Sequence, residues 1–214
     1  MQANDARPTA ERRVLIVDGA IELIATQGIR ALTHRALDTA LALPAGSTSY
    51  YFRTKRALLE GVVGRITERT REDFLAAFPD DSSPSREPGG ARVDTDAMLT
   101  EIATGVGAWL DRMLAQRRAH LIARYALTIE LRADPELHTR LVGSLFSQAR
   151  ARTLFEQLGC GSPDTAAADF IAVIEGATFD RFAGARADLP PGTPESAAQL
   201  AGVLRSQLRG MLPC

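Results

Sequence analysis

Apolar residues recur along the chain at three- and four-residue spacing, and no stretch sustains the alternation of a strand. The first stripe is Ile16, Ala20, Leu23, Ile24 and Gln27, widened by Val17 and Ile21. It predicts a helix from about Ala10 to Gln27 with Thr9 as its N-cap, after a polar and disordered start at residues 1–8. Gly28 stops this helix, as a left-handed residue past a helix end does. Thr33 is placed to cap a second helix, roughly His34 to Leu41, whose short buried face is Leu37, Ala40 and Leu41. Pro44 suits the first turn of a third helix, Pro44 to Tyr51, where its missing N–H costs nothing. Thr54 then caps a long fourth helix, Lys55 to about Phe78, with Leu58, Leu59, Val62, Val63, Ile66, Phe74 and Leu75 on its apolar side.

The next segment, Pro79 to Val93, is rich in Pro, Gly, Ser and Asp and reads as a flexible loop. Five more helices are expected. Thr95 to about Ala115 carries Met98, Ile102, Val106, Trp109, Leu110 and Met113, and Arg117 to Ala133 carries Leu121, Ile122, Tyr125, Leu127, Ile129 and Leu131. Asp134-Pro135 restarts the chain into one helix reaching Leu158, with Leu141, Leu145, Phe146 and Phe155. A turn at Gly159 to Pro163 precedes Asp164 to about Ala185, and DLPPGT separates that from Pro194 to Leu212. The reading is therefore all-α. A three-helix helix-turn-helix domain at residues 9–56 is joined by the long fourth helix to a helical bundle at residues 57–214.

Composition adds little until it is divided. The 214 residues carry a net charge of −1, so no global field points to nucleic acid. Residues 1–56 hold eight basic residues against five acidic ones, a net of +3 that leaves −4 for the remainder. That asymmetry fits a basic module on a more acidic one. Lys55 is the sole lysine. The two cysteines, Cys160 and Cys214, form neither a metal spacing nor a disulfide framework, which suits a reducing cytoplasm. No apolar run approaches the roughly 20 residues needed to span a bilayer, and no leader pattern opens the chain, so no membrane association is expected. No cofactor motif, metal-ligand set or catalytic constellation is visible: His34, His120 and His138 are scattered, and no Gly-rich phosphate loop or HExxH occurs.

The chemistry concentrates between Thr33 and Arg56. The helix capped by Thr54 opens with Lys55 and Arg56, cations at the end of a helix dipole that favours anions, and Ala57 stands where a capping-box acid would offset them. A phosphate meeting the free N–H groups and Lys55 together resolves the conflict. Thr33, followed by His34 and Arg35, repeats the arrangement. The third helix is built of small residues (Ala45, Gly46, Ser47, Thr48, Ser49), so it can lie close to base edges in a major groove about 12 Å wide. Tyr50 and Tyr51 at its end can offer hydroxyls to phosphates or pack the module, and Phe52 reads as core. Helix, short turn and helix, with the first helix completing the core, is the spacing of a helix-turn-helix.

Gly28 to Val63 (GIRALTHRALDTALALPAGSTSYYFRTKRALLEGVV) resembles the DNA-binding domain of TetR-type repressors. The resemblance rests on Gly28, Leu32-Thr33, Leu37, Ala40, Gly46, Tyr51-Phe52, Lys55 and Leu58-Leu59, with Ile16, Ala20, Leu23 and Ile24 in the first helix. It implies that Thr33 and Lys55 contact phosphates, that Arg35, Ala45 and Ser47 face bases, and that Tyr50 and Tyr51 touch the backbone. Two positions depart from the family pattern: Ser49 stands where an aromatic is usual, and Ala42 replaces the usual turn glycine. The remaining residues have the length of that family's ligand-binding and dimerisation domain.

Two tasks fall to that larger part. The last two helices, about 164–185 and 194–212, mix small with large apolar residues and suit a four-helix homodimer interface, which a palindromic operator requires. Trp109, Met113, Tyr125 and Phe146, with Phe155 and Phe170, could line a cavity for a small, mostly apolar effector. Glu130 and Glu175, carboxylates on apolar helices, need partners that a ligand or Arg124 or Arg181 would supply. The function expected is a bacterial, ligand-released homodimeric repressor. The alternatives are a regulator that senses oxidants through Cys160, with Arg150 and Arg152 nearby in sequence, and an all-helical enzyme.

Overall fold

A computed structural model describes residues 6–79 and 95–211, with side chains from residue 9 onward. Among these residues the elements are ten α-helices and two short 3-10 turns, and no strand. The helices are α1 (Ala6–Gln27), α2 (His34–Ala40), α3 (Ser47–Tyr51), α4 (Lys55–Ala77), α5 (Thr95–Gln116), α6 (Arg118–Glu130), α7 (Pro135–Val142), α8 (Gln148–Gln157), α9 (Pro163–Ala183) and α10 (Pro194–Met211). The chain forms two compact units, one of residues 1–71 with 119–144 and another of residues 72–118 with 145–214. These packing units are drawn differently from a division at residue 56, because α6 and α7 pack with the first helices.

In the first unit one apolar core joins α1, α2, α4, α6 and α7. Ile16, Ala20, Ile21 and Ile24 of α1 meet Leu37, Phe52, Leu58, Val62, Val63 and Ile66, and Ala123, Leu127, Leu137 and Leu141 close the other side. Gly61 lets α4 approach: a Cβ there would lie 3.1 Å from the Phe52 ring and 3.2 Å from Val17. Arg65 of α4 grips Asp18 of α1 through two hydrogen bonds of 2.8 and 2.9 Å, a fork-to-carboxylate geometry that fixes their register.

In the second unit α5 packs along α10 so closely that a Cβ on Gly107 would sit 2.7 Å from the Ala201 nitrogen. A buried polar network ties α5, α9 and α10. The Asp111 carboxylate accepts from Ser196 Oγ at 2.5 Å and from Gly192 N at 2.9 Å. Arg181 donates to Ser196 Oγ at 2.8 Å and to the Leu189 carbonyl at 2.6 Å. Burial pushes the Arg181 guanidinium down from its ordinary pKa while Asp111 opposes the shift.

The expected elements change in three places. Helix α1 begins at Ala6, so Thr9 lies inside it and is no cap; Pro8 falls in the first turn, where it breaks no hydrogen bond. Gln27 is exposed at its end. Helix α3 begins at Ser47, not Pro44, because Gly46 turns left-handed (φ 91°) and Pro44 instead closes the preceding turn through Ser47 N to its carbonyl, 3.0 Å. The single helix expected from Pro135 to Leu158 is two: α7 ends at Gly143, and Ser147 caps α8 by accepting from Arg150 N at 3.4 Å. The expected flexible loop, Pro79 to Val93, lies outside the described residues from Asp80 on, as do residues 1–5 of the polar start.

Candidate nucleic-acid interface

The interface is built on a turn, α2 to α3, held by one carboxylate. Asp38, buried near the end of α2, accepts from Thr48 N at 2.8 Å, Thr48 Oγ1 at 2.7 Å and Gly46 N at 2.8 Å. Burial by itself would raise its pKa. The Thr48 hydroxyl and the two backbone N–H groups outweigh it and hold the carboxyl below the ordinary carboxylate value. The loop between the helices is tight, with Leu43 N on the Asp38 carbonyl at 2.8 Å and Ala42 left-handed at φ 50°. Ala42 thus adopts, without being glycine, the conformation that the turn demands.

Two helix starts open beside each other. Thr33 Oγ1 accepts from Ala36 N and Thr54 Oγ1 from Ala57 N, each at 3.1 Å. Both hydroxyls cap by accepting, so their protons remain available to donate outward. A groove of about 260 Å³ runs between these starts, lined by Arg30, Leu32, Thr33, His34, Lys55 and Leu58. Thr33 and Lys55, singled out separately as phosphate contacts, therefore share one groove, joined by Arg30 and His34. Lys55 is exposed and makes no ion pair among the described residues. Within this groove His34 Nε2 is buried and has no hydrogen-bond partner. A second groove of about 490 Å³ brings Thr33 together with Arg35, Ala36, Thr39 and Ala40.

Helix α3 presents its residues unevenly. Tyr50 is 78% exposed and stands edge-on to Tyr51, ring centroids 5.0 Å apart. Ala45 and Ser49 are exposed; Ser47 is half-buried, and its hydroxyl donates to the Pro44 carbonyl at 2.7 Å. Phe52 is buried in the core, and Arg13 lies over its ring at 4.4 Å while donating to the Tyr51 carbonyl at 2.7 Å.

Arg56 is corrected by the structure. The cation that looked misplaced at the start of α4 is answered from within the chain, by Glu136 at 2.8 Å, Asp134 at 3.1 Å and Glu60 at 3.8 Å. These partners hold the guanidinium above its ordinary pKa, the Glu136 hydrogen bond foremost. Lys55 alone keeps the phosphate argument at this helix start. Asp38, on which the reading turn depends, was missed. Its signal was present: an acid on a short helix beside buried Leu37, the same logic applied to Glu130 and Glu175.

The residues named for a ligand divide between the units. Trp109, Met113 and Phe146 are buried in the second unit, and Glu175 is half-buried on α9 there. Tyr125 is half-buried and Glu130 exposed on α6 in the first unit. Arg124 donates to Ser144 Oγ and the Val142 carbonyl, and Arg181 serves the network described above. Cys160 is half-buried, its thiol 3.9 Å from the Met211 carbonyl. Arg152 is committed to Glu156 and Asp164, at 3.0 and 3.5 Å.

Two short helices locked by a buried carboxylate, on a three-helix core with paired helix starts, define a helix-turn-helix DNA-binding regulator. Two family models match this chain: that of the bacterial regulatory proteins of the tetR family over residues 16–62, and that of the tetracyclin repressor-like C-terminal domain over residues 97–212. The chain belongs to the TetR family of transcriptional regulators. A family member from Streptomyces coelicolor A3 shares its fold at TM-score 0.64 and 22% identity, covering 95% of this chain and 99% of that one. A transcriptional regulator from Rhodococcus sp. Rha1 superposes at TM-score 0.67 and 15% identity, over 94% and 95%. The multidrug binding protein EbrR complexed with ethidium matches at TM-score 0.62 and 21% identity, over 95% and 99%. No curated protein matches in a sequence search. Among the described residues no helix is long and apolar enough to cross a membrane.

Proposed function

We propose that the protein is a homodimeric repressor in the cytoplasm that leaves a palindromic operator when a small, mostly apolar molecule binds the second unit. The groove that gathers Thr33, Lys55, Arg30 and His34 carries this reading, because it offers a donor hydroxyl, cations and free helix-start N–H groups to one phosphate. Arg35, Ala45 and Ser47 face base edges, and Tyr50 and Tyr51 contact the backbone on either side. Residues 9–56 act as the reading domain and 57–214 as the sensing and pairing domain. Helix α4 contributes residues to both compact units, so a shift of its far end alters the spacing of two reading helices on DNA.

Self-association through α9 and α10 is supported by an exposed stripe of small residues on α9. Ala168, Ala172 and Gly176 repeat every four positions, and Phe179, 45% exposed, continues the face. EbrR is complexed with ethidium, malachite green and imidazole in the matched structures. Here the corresponding task falls to the aromatic residues around Trp109. The test is a fluorescence-anisotropy titration with the DNA flanking the protein's own gene against a scrambled duplex of equal length. Preference of at least a hundredfold for the flanking DNA, with two subunits per site, is expected; equal affinity for both duplexes would remove the operator-specific reading.

A further inference from the structure

Six aromatic rings cluster in the second unit, and one of them carries a donor with nothing to bond. Trp109 of α5 is fully buried, and its Nε1–H has no hydrogen-bond partner. The indole stands 5.4 Å from Phe74 in an edge-to-face contact, and 6.3 Å from both Phe78 and Phe146, centroid to centroid. Phe146 continues to Phe170 at 6.0 Å, and Phe170 to Phe155 at 5.7 Å. Phenyl rings carry no lone pair, so these neighbours offer the N–H only a weak contact with a π face. Asp111, the nearest acid along α5, already accepts from Ser196 and Gly192. Buried indole N–H groups usually find an acceptor.

A ligand bearing an acceptor would answer the buried N–H from among these rings. We infer that this cluster takes a flat aromatic compound bearing a carbonyl-type oxygen, which Trp109 Nε1–H recognises while Phe74, Phe78 and Phe146 stack around its ring. Phe74 and Phe78, both half-buried, are the rings that must part to admit it. The inference rests on the reading of the second unit as the sensor, and adds to it the one polar feature of the ligand. A cationic dye without an acceptor oxygen would leave the N–H unanswered.

Trp109 is the only tryptophan in the chain, so its indole N–H gives a single, unambiguous peak in a nitrogen–proton correlation spectrum. The probes are 1-indanone and indane, alike in shape and differing by the carbonyl, titrated into the full-length protein while backbone amides report binding. 1-Indanone should bind about tenfold more tightly than indane, as one added hydrogen bond allows, and should move the Trp109 Nε1 proton downfield. Trp109→Phe, which keeps an aromatic ring, should erase the difference between the probes. The comparison on the unaltered protein decides the matter even where that variant does not fold. Equal affinity for both probes, or binding of 1-indanone with the indole peak unmoved, overturns the acceptor inference and leaves the cluster as a ligand site. No amide shift with either probe up to its solubility removes the ligand site and the inference together.

Discussion

Asp38 accepts both the hydroxyl and the backbone N–H of Thr48, at 2.7 and 2.8 Å, across the turn between the two helices of the reading unit. With Gly46 N as a third donor, one carboxylate sets the angle between α2 and α3. Asn at this position keeps one acceptor and turns an amide toward N–H groups that need a lone pair. Asp38→Asn should cost about 1–3 kcal/mol of stability, the range for a buried donor left unsatisfied. The folded carboxyl titrates below the ordinary value near 3.9, so its contribution is complete above about pH 4 and is lost as pH falls through the folded pKa. Thermal melts from pH 3 to 7 should show a flatter acid limb for the variant; parallel limbs would place the pH dependence elsewhere.

Lys55 and Arg56 are neighbours in different surroundings: Lys55 is exposed with no ion pair among the described residues, while Arg56 is paired with acids of the same chain. Lys55→Ala should weaken binding to all DNA sequences alike and reduce the slope of log affinity against log salt by about one counterion. Arg56→Ala should leave that slope near its original value, because its guanidinium lies on Glu136, Asp134 and Glu60. Those pairs are exposed and screened by solvent, so their loss should change stability little. Titrations at three or more salt concentrations separate the two. A slope lowered equally by both variants would return Arg56 to the phosphate.

What could be read in advance and what could not follows the range of each interaction. Thr33 and Thr54 cap their helices as expected, because a cap is a matter of three residues. The stripes of α1 and α4 were legible for the same reason: burial of Ile16, Ala20, Ile24, Leu58, Val62 and Ile66 follows from helical period alone. Arg56 was misread because its two closest partners stand 78 and 80 residues away. Pro44 was misplaced because a proline suits a turn as well as a helix start, and the left-handed Gly46 decided between them. The break at Gly143 to Ser147 hid inside an apolar pattern that runs on across it. The turn of the helix-turn-helix lies within adjacent segments and so was open to local pattern; the aromatic cluster of the second unit joins distant residues (Phe74, Trp109, Phe146 and Phe170) and was visible only as a list of aromatics.

Ala42 holds φ 50° without the freedom of glycine. It is exposed, so Ala42→Gly loses no packing. Relief of left-handed strain, about 1–2 kcal/mol for an L-residue, exceeds the unfolded-state entropy that glycine adds, about 0.4–1 kcal/mol. A net gain of roughly 0.5–1 kcal/mol should appear as a higher midpoint in urea with an unchanged slope. A lower midpoint would mean that the turn pays little strain at this position.

Gly107 makes the opposite case. Alanine is the better helix former by about 1 kcal/mol, and on propensity alone Gly107→Ala would stabilise α5. The new Cβ would lie 2.7 Å from Ala201 N and 3.0 Å from its Cα, both backbone atoms that no rotamer change can move. Overpacking of this kind costs about 1–3 kcal/mol, so the clash prevails and the melting temperature should fall. Ala201→Gly in the same chain removes the Cβ contact at 3.1 Å but not the backbone ones, and should restore only part of the loss.

Gly176 lies on the exposed stripe of α9, and a Cβ added there meets nothing within 4 Å in the single chain. A large side chain at this position should therefore leave the isolated subunit folded. In the proposed dimer the same side chain would fall where two copies of α9 approach through Ala168, Ala172 and Gly176. Gly176→Phe should move the protein from dimer to monomer in sedimentation velocity, with helical content by circular dichroism unchanged. Operator affinity should fall with it, since one reading helix makes too few contacts to hold a half-site at working concentrations. A variant that stays dimeric and binds DNA as before would show that α9 faces solvent in the assembled protein, and the pairing surface would have to be sought on another helix.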